Sequence, residues 1–359
     1  MLDIYAGETA RKVLTEHGLK PELFNIFLGA SGGPKWFSLY ELDRYVFGDF
    51  FAGRSDPLHI IGSSAGAFRA ACFSHHDPVA AIDRLAKHYS ETTYTEQVDR
   101  QEITAKARDL LANLFGDDGV RQVVNNPIYQ AHFFVNRCYG LAASENKTLQ
   151  MLGLTKSFTA NMLSRGLLRG QYQRVIFANQ NSQLRVGDPC QFDTISVPLS
   201  ESNTADALLA SGSIPLVMEG IKDIAGAPRG MYRDGGIVDY HFDIDLTVKP
   251  SDTSTPDNHG LILYPHFSAK PKAGWFDKNL NRSPSHQHYD RTVMLVPSDQ
   301  FIASLPYKKI PDRTDFKNLS DDERFTYWQT VFKETSKLAE SFDHSIRHFN
   351  KDLIKPLPF

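Results

Sequence analysis

Apolar residues recur along this chain in two rhythms, and the change from one to the other marks its elements. Over residues 6–18, Ala10, Val13, Leu14 and His17 fall at helical spacing and Gly18 closes the run, which predicts an amphipathic helix. Phe24-Asn25-Ile26-Phe27-Leu28 is short and apolar and predicts a buried strand. After a glycine-rich loop, Leu39, Leu42, Val46 and Phe50 return to three-to-four spacing, with Pro34 suited to the first turn of that helix. A second apolar run at 58–61 enters Gly62-Ser63-Ser64-Ala65-Gly66 and leaves as an alanine-rich helix. This βαβα order implies parallel strands joined by a right-handed crossover, with both loops opening at one sheet edge. Open α/β sheets place their sites there.

Helices are expected over 77–126, with Val79, Ile82, Leu85 and Tyr89 on one face and a second helix around 106–115. Strands are expected at 131–138, 174–179 and 193–199, with a short helical piece near 158–168. A helix over 204–212 stops at Gly212, and 220–236 reads as a glycine-rich meander. Strands at 261–264 and 292–296 flank a polar stretch, 266–290, whose length suits a mobile loop or lid, and an amphipathic helix covers 321–349. The fold class is α/β with a mainly parallel central sheet, in one domain spanning 1–359.

Composition narrows the function. Of 359 residues, 41% are hydrophobic and 23% charged, which are globular values, and the net charge of −3 lacks the basic footprint of a nucleic-acid protein. Cys72, Cys138 and Cys190 are scattered, without the spacing of a disulfide framework or a cysteine-rich zinc site. The N-terminus lacks the pattern of a signal peptide, and no run of 18 uncharged apolar residues occurs. A cytoplasmic protein without metal or organic cofactor is expected, peripheral at membranes if its substrate is there.

The chemistry gathers in the loops. In a G-x-S-x-G elbow, Gly62 and Gly66 remove Cβ atoms that would clash, so Ser64 can occupy a strained turn with its hydroxyl exposed. The helix that follows points its N-terminus at Ser64 and favours an oxyanion there. Serine needs a base, and Asp234, followed by Gly235-Gly236, is the best candidate; the glycines would allow a sharp turn with positive φ and keep bulk from the carboxylate. In a Ser-His-Asp alternative, His241, His266, His286 and His288 follow in the required order. The loop Gly29-Ala30-Ser31-Gly32-Gly33-Pro34-Lys35 is no P-loop, because Pro34 separates Gly33 from Lys35 and Trp36 stands where Ser or Thr is needed. Beside an elbow serine its natural use is an oxyanion hole.

In order, Gly29 to Lys35, Gly62 to Gly66, Ala210-Ser211-Gly212-Ser213-Ile214-Pro215 and Asp234-Gly235-Gly236 resemble the four signature blocks of the patatin-like phospholipases. The resemblance covers about 21–240 and leaves 241–359 as an extension without a family motif. It implies a three-layer α/β/α fold shared with the catalytic domain of cytosolic phospholipases, and a lipid acyl hydrolase with a Ser-Asp dyad. Ser64 would then be the nucleophile, Asp234 the base, the backbone of Gly32 and Gly33 the oxyanion hole, and Lys35 the basic position after the glycines. Ala30-Ser31 and Gly212-Ser213 depart from the family pattern.

The partner implied is a phospholipid or other lipid ester reached by transient contact with a membrane surface. Lys270, Lys272, Trp275, Phe276, Lys278 and Arg282 interleave basic and aromatic residues and are the expected contact. Two other readings stay open: an esterase of soluble esters using a triad, and a catalytically silent lipid-binding module.

Overall fold

The computed structural model describes residues 1–249 and 260–359. The strands are β1 (Leu2–Ala6), β2 (Phe24–Gly29), β3 (Leu58–Ser63), β4 (Tyr129–Cys138), β5 (Tyr172–Ala178), β6 (Leu184–Gly187), β7 (Thr194–Pro198), β8 (Ile221–Lys222), β9 (Met231–Asp234), β10 (Asp245–Val248), β11 (Leu261–Pro265), β12 (Thr292–Pro297) and β13 (Ile354–Pro356). The α-helices are α1 (Glu8–His17), α2 (Tyr40–Tyr45), α3 (Ala65–Phe73), α4 (Pro78–Ser90), α5 (Arg100–Phe115), α6 (Gly119–Asn125), α7 (Lys147–Leu163), α8 (Thr204–Gly212), α9 (Asp299–Ser304), α10 (Asp315–Asn318), α11 (Asp321–Glu334) and α12 (Ser336–Arg347).

The fold is mixed α/β, with a large, mostly parallel central sheet flanked by helices as in a three-layer α/β/α arrangement. Its strands run in the order β13-β1-β12-β11-β2-β3-β4-β5-β7, with β9 beside β4 and β8 beside β9. Alternation along the central strands serves both faces. Phe27, Ile60 and Leu295 join the larger core under the helices, whereas Leu28, Ile61 and Met294 join a second core with Phe242, Tyr264 and Phe267. The C-terminal third is built into the sheet, since β11 lies parallel to β2 and β12 parallel to β11. Among the described residues no helix is long and apolar enough to cross a membrane.

Several elements differ from the sequence expectation. The N-terminal residues, for which the sequence suggested no element, form β1, antiparallel to β12. The helix expected over 321–349 is two, broken at Thr335, whose hydroxyl donates to Phe332 O and accepts the N–H of Glu41. The short helical piece expected near 158–168 covers part of a 3₁₀ turn, Arg165–Gly170, and the end of a separate 17-residue helix, α7, capped by Asn146 at Thr148 N and Leu149 N. Periodicity hid most of it, because Gln150, Ser157 and Asn161 line its buried side. The stretch 266–290 is largely irregular but anchored: Phe267, Ala273, Asp277 and Tyr289 are buried, and Lys272 donates through its backbone N–H to His241 and through Nζ to Leu280 O.

Candidate active site

Strand β4 brings two chain ends together. Ser63, the last residue of β3, pairs with Phe134, and Asp234, the last residue of β9, pairs with Val135 on the next rung. Because β3 runs parallel to β4 and β9 antiparallel, their carboxyl ends meet. Ser64 Oγ donates to Asp234 Oδ2 at 2.9 Å, and Gly236 N–H holds the other carboxylate oxygen, Oδ1, at 2.7 Å. Asn136 Nδ2 donates to the carbonyls of Asp234 and Gly235, which fixes the turn.

Ser64 has φ 52° and ψ −129°, a left-handed conformation that costs a non-glycine residue on the order of 1–3 kcal/mol. The surroundings hold it there. Its N–H donates to Ser211 Oγ, whose hydroxyl in turn donates to Phe134 O. The flanking glycines are required by close backbone approach: a Cβ on Gly62 would enter the backbone of Gly66 and Ala67, and one on Gly66 would enter Gly29. Gly235 and Gly236 likewise do not take positive φ as expected from sequence; Gly235 is needed because its α-carbon passes against Phe134 O. Ser31, one of the departures from the signature pattern, donates to Ser63 O and so ties the glycine loop to the elbow.

The glycine loop does take positive φ, with 138° at Gly32 and 59° at Gly33, and opens into a short 3₁₀ stretch, Gly33–Leu39. N–H groups at that position have no partner within the helix. Gly33 lines a cavity of about 600 Å³ together with Ser64 and Ala65, whereas Gly32 backs onto Phe267 and Lys35 lies with Nζ 5.3 Å from the Phe267 ring centre. Ala65, which sequence reasoning did not single out, begins α3 directly after Ser64. Trp36, Phe68, Leu85, Leu110, Ile214 and Met218 make the cavity walls apolar. On its other side Ser64 borders a small recess with Asp234, Tyr240, Trp275, Lys278 and Arg313.

Burial is the largest influence on Asp234 and raises its pKa above the usual carboxylate value, against the opposing pull of Arg313, the Gly236 N–H and the Ser64 hydroxyl. The ammonium of Lys278, 4.1 Å above the Tyr240 ring centre, is lowered to about 8, first by desolvation and then by Arg313. Arg313 was not foreseen. It comes from the motif-free extension, and its Nε lies 2.8 Å from where a Gly33 Cβ would sit. Only its position in space connects it to Ser64.

The four histidines have other partners. His241 Nδ1 accepts from Lys272 N, His266 Nδ1 accepts from Ser268 N, His288 Nδ1 pairs with Asp243 at 2.7 Å, and the His286 ring packs near Phe359. Desolvation lowers the pKa of both His241 and His266 and keeps them neutral. The basic and aromatic residues of 270–282 divide: Arg282 binds Asp277 at 2.7 Å and Asn161 O at 3.0 Å, and Lys272, Trp275 and Phe276 are half-buried, whereas Lys270 and Lys278 are exposed. Among the described residues no group of three or more His, Cys, Asp or Glu side chains is arranged to hold a metal ion.

No family model and no characterised protein sequence matches the chain. Among solved structures, VipD from Legionella pneumophila matches with a TM-score of 0.39 and 12% identity, over 95% of this chain and 70% of that one. At that level the likeness carries no argument about function.

Proposed function

We propose that this chain is a patatin-like acyl hydrolase that cleaves carboxylic esters of lipids through an acyl-Ser64 intermediate. One observation carries the reading: the Ser64 hydroxyl, held on a strained elbow, donates directly to a buried carboxylate, Asp234. His241, His266, His286 and His288 are engaged elsewhere, and among the described residues no histidine lines the spaces beside Ser64, which favours a dyad over the triad alternative. An intact serine and carboxylate in contact likewise favour catalysis over a silent lipid-binding module.

Ser64 Oγ attacks the ester carbonyl as its proton passes to Asp234 Oδ2, and the oxyanion is met by the N–H groups of Gly33 and Ala65 at two helical N-termini. The raised pKa of Asp234 makes it a better proton acceptor than an exposed aspartate. Asp234 then protonates the departing alcohol oxygen. It next takes a proton from water as the water oxygen attacks the acyl carbon, and returns that proton to Ser64 Oγ as the bond to the acyl carbon breaks and the carboxylic acid leaves. The apolar cavity suits the acyl chain, and Arg313 with Lys278 suits an anionic group on the alcohol side.

The test is turnover of a nitrophenyl ester. Asp234→Asn keeps the shape but cannot accept the proton, so kcat should fall by about 10²–10⁴, while single replacement of each of the four histidines should leave it nearly unchanged. A histidine variant as inactive as Asp234→Asn would overturn the dyad.

A further inference from the structure

Helix α7 is built inside out. Three of its five buried residues are polar and hydrogen-bonded, beside Gly153 and Leu154: Gln150 accepts the N–H of Leu216, Ser157 bonds the Tyr172 hydroxyl, and Asn161 donates to Asp277. Its exposed side carries Leu149, Met151, Leu152, Phe158, Met162 and Leu163, the last 78% exposed. With Leu141 and Leu167 in the turns packed against it, this one helix and its flanks supply eight of the thirteen large apolar residues exposed among the described residues. Scattered exposed apolar residues are ordinary, but a contiguous set marks an interaction surface.

Charge identifies the partner. From Asn146 to Gly187 there is no Asp or Glu, although 42 acidic residues in 359 would place about five in a stretch of that length. Lys147, Lys156 and Arg169 are exposed there, and the preceding Glu145 is engaged by Arg233 and Arg100. Two copies of this face would bring like charges together with no acidic partner. An anionic bilayer surface complements it in both respects.

We infer that α7 is the face by which this protein docks on an anionic lipid bilayer, its apolar side chains entering the interface and its lysines meeting the headgroups. The inner side of the same helix is bonded to two segments bordering Ser64, through Leu216 beside Ile214 and Val217, and through Asp277 beside Trp275 and Lys278. Val217 and Val98, both lining the cavity, are exposed apolar residues as well. That the docked face serves substrate delivery rests on the hydrolase reading; the docking itself rests on α7 alone.

Binding is therefore measured on the Ser64→Ala protein, which needs no turnover, using vesicles of phosphatidylcholine with and without phosphatidylserine. The protein should sediment with the phosphatidylserine vesicles, and added salt should weaken it. Leu152→Glu with Leu163→Glu should weaken binding by roughly 100-fold, with the melting temperature unchanged because both side chains are already exposed. Lys156→Glu, which leaves the apolar face intact, should weaken it by about tenfold. Absence of vesicle binding, or binding indifferent to all three substitutions, overturns the inference. So does a lipid-free dimer that the leucine variant converts to monomer, since the occupant is then a second copy.

Discussion

Gly29 and Gly66 lie backbone against backbone, so that a Cβ on Gly66 would fall inside the Gly29 carbonyl group. Through this contact the end of β2 and the start of α3 approach closely enough for the glycine loop and the serine elbow to share one cavity wall. Gly66→Ala should therefore destabilise the fold at the upper end of the ~1–3 kcal/mol typical of overpacking, because the obstructing atoms are backbone and cannot rotate away. A melting temperature within experimental error of the native protein's would show that the contact is looser than described.

Arg313 joins the extension to the site. Its guanidinium borders both the apolar cavity and the recess around Asp234, and it is the largest charge acting on that carboxylate. Arg313→Ala should raise KM for an ester with a phosphate or carboxylate near the scissile bond by about 10–100-fold, the worth of a hydrogen bond to a charged group at ~1.5–3 kcal/mol. KM for a neutral ester of the same chain length should change little. Equal loss on both substrates would assign Arg313 to the wall of the site instead of to the anion.

The pH dependence should separate the charges. Lys278, lowered to about 8, is charged below that pH and neutral above it, so KM for the anionic ester should rise as pH passes about 8 while the neutral ester is unaffected. On the acid side, Asp234 must be ionised to accept a proton, and its raised pKa moves the acid limb of kcat/KM for both substrates above that of an ordinary aspartate. Lys278→Met should abolish the alkaline difference between substrates; persistence of that difference would assign it to another group.

What sequence made legible were features whose physical requirement is local. The elbow glycines Gly62 and Gly66, with Gly29 and Gly235, sit where a backbone passes too close for a side chain, Gly32 and Gly33 take positive φ, and the parallel β2-β3 pair follows from the βαβα order. Ser64 and Asp234 could be named as partners, but their contact depends on β9 running antiparallel along the far end of β4, which no periodicity encodes. Arg313 was illegible because a lone arginine in a polar stretch has no motif. Helix α7 was misread for the opposite reason: its pattern is largely inverted, with Gln150, Ser157 and Asn161 inside beside Leu154, and Leu149, Leu152 and Leu163 outside. A search for apolar spacing alone finds the wrong half of such a helix.

The central claim is that an acyl group passes through Ser64 under the control of Asp234, and intact-protein mass spectrometry during turnover of a slowly deacylating nitrophenyl ester tests it most directly. The account predicts one acyl adduct, mapped to the peptide containing Ser64, absent in Ser64→Ala and formed about 10²–10⁴ times more slowly in Asp234→Asn. An adduct on another residue, or hydrolysis by Ser64→Ala at the native rate, would contradict it.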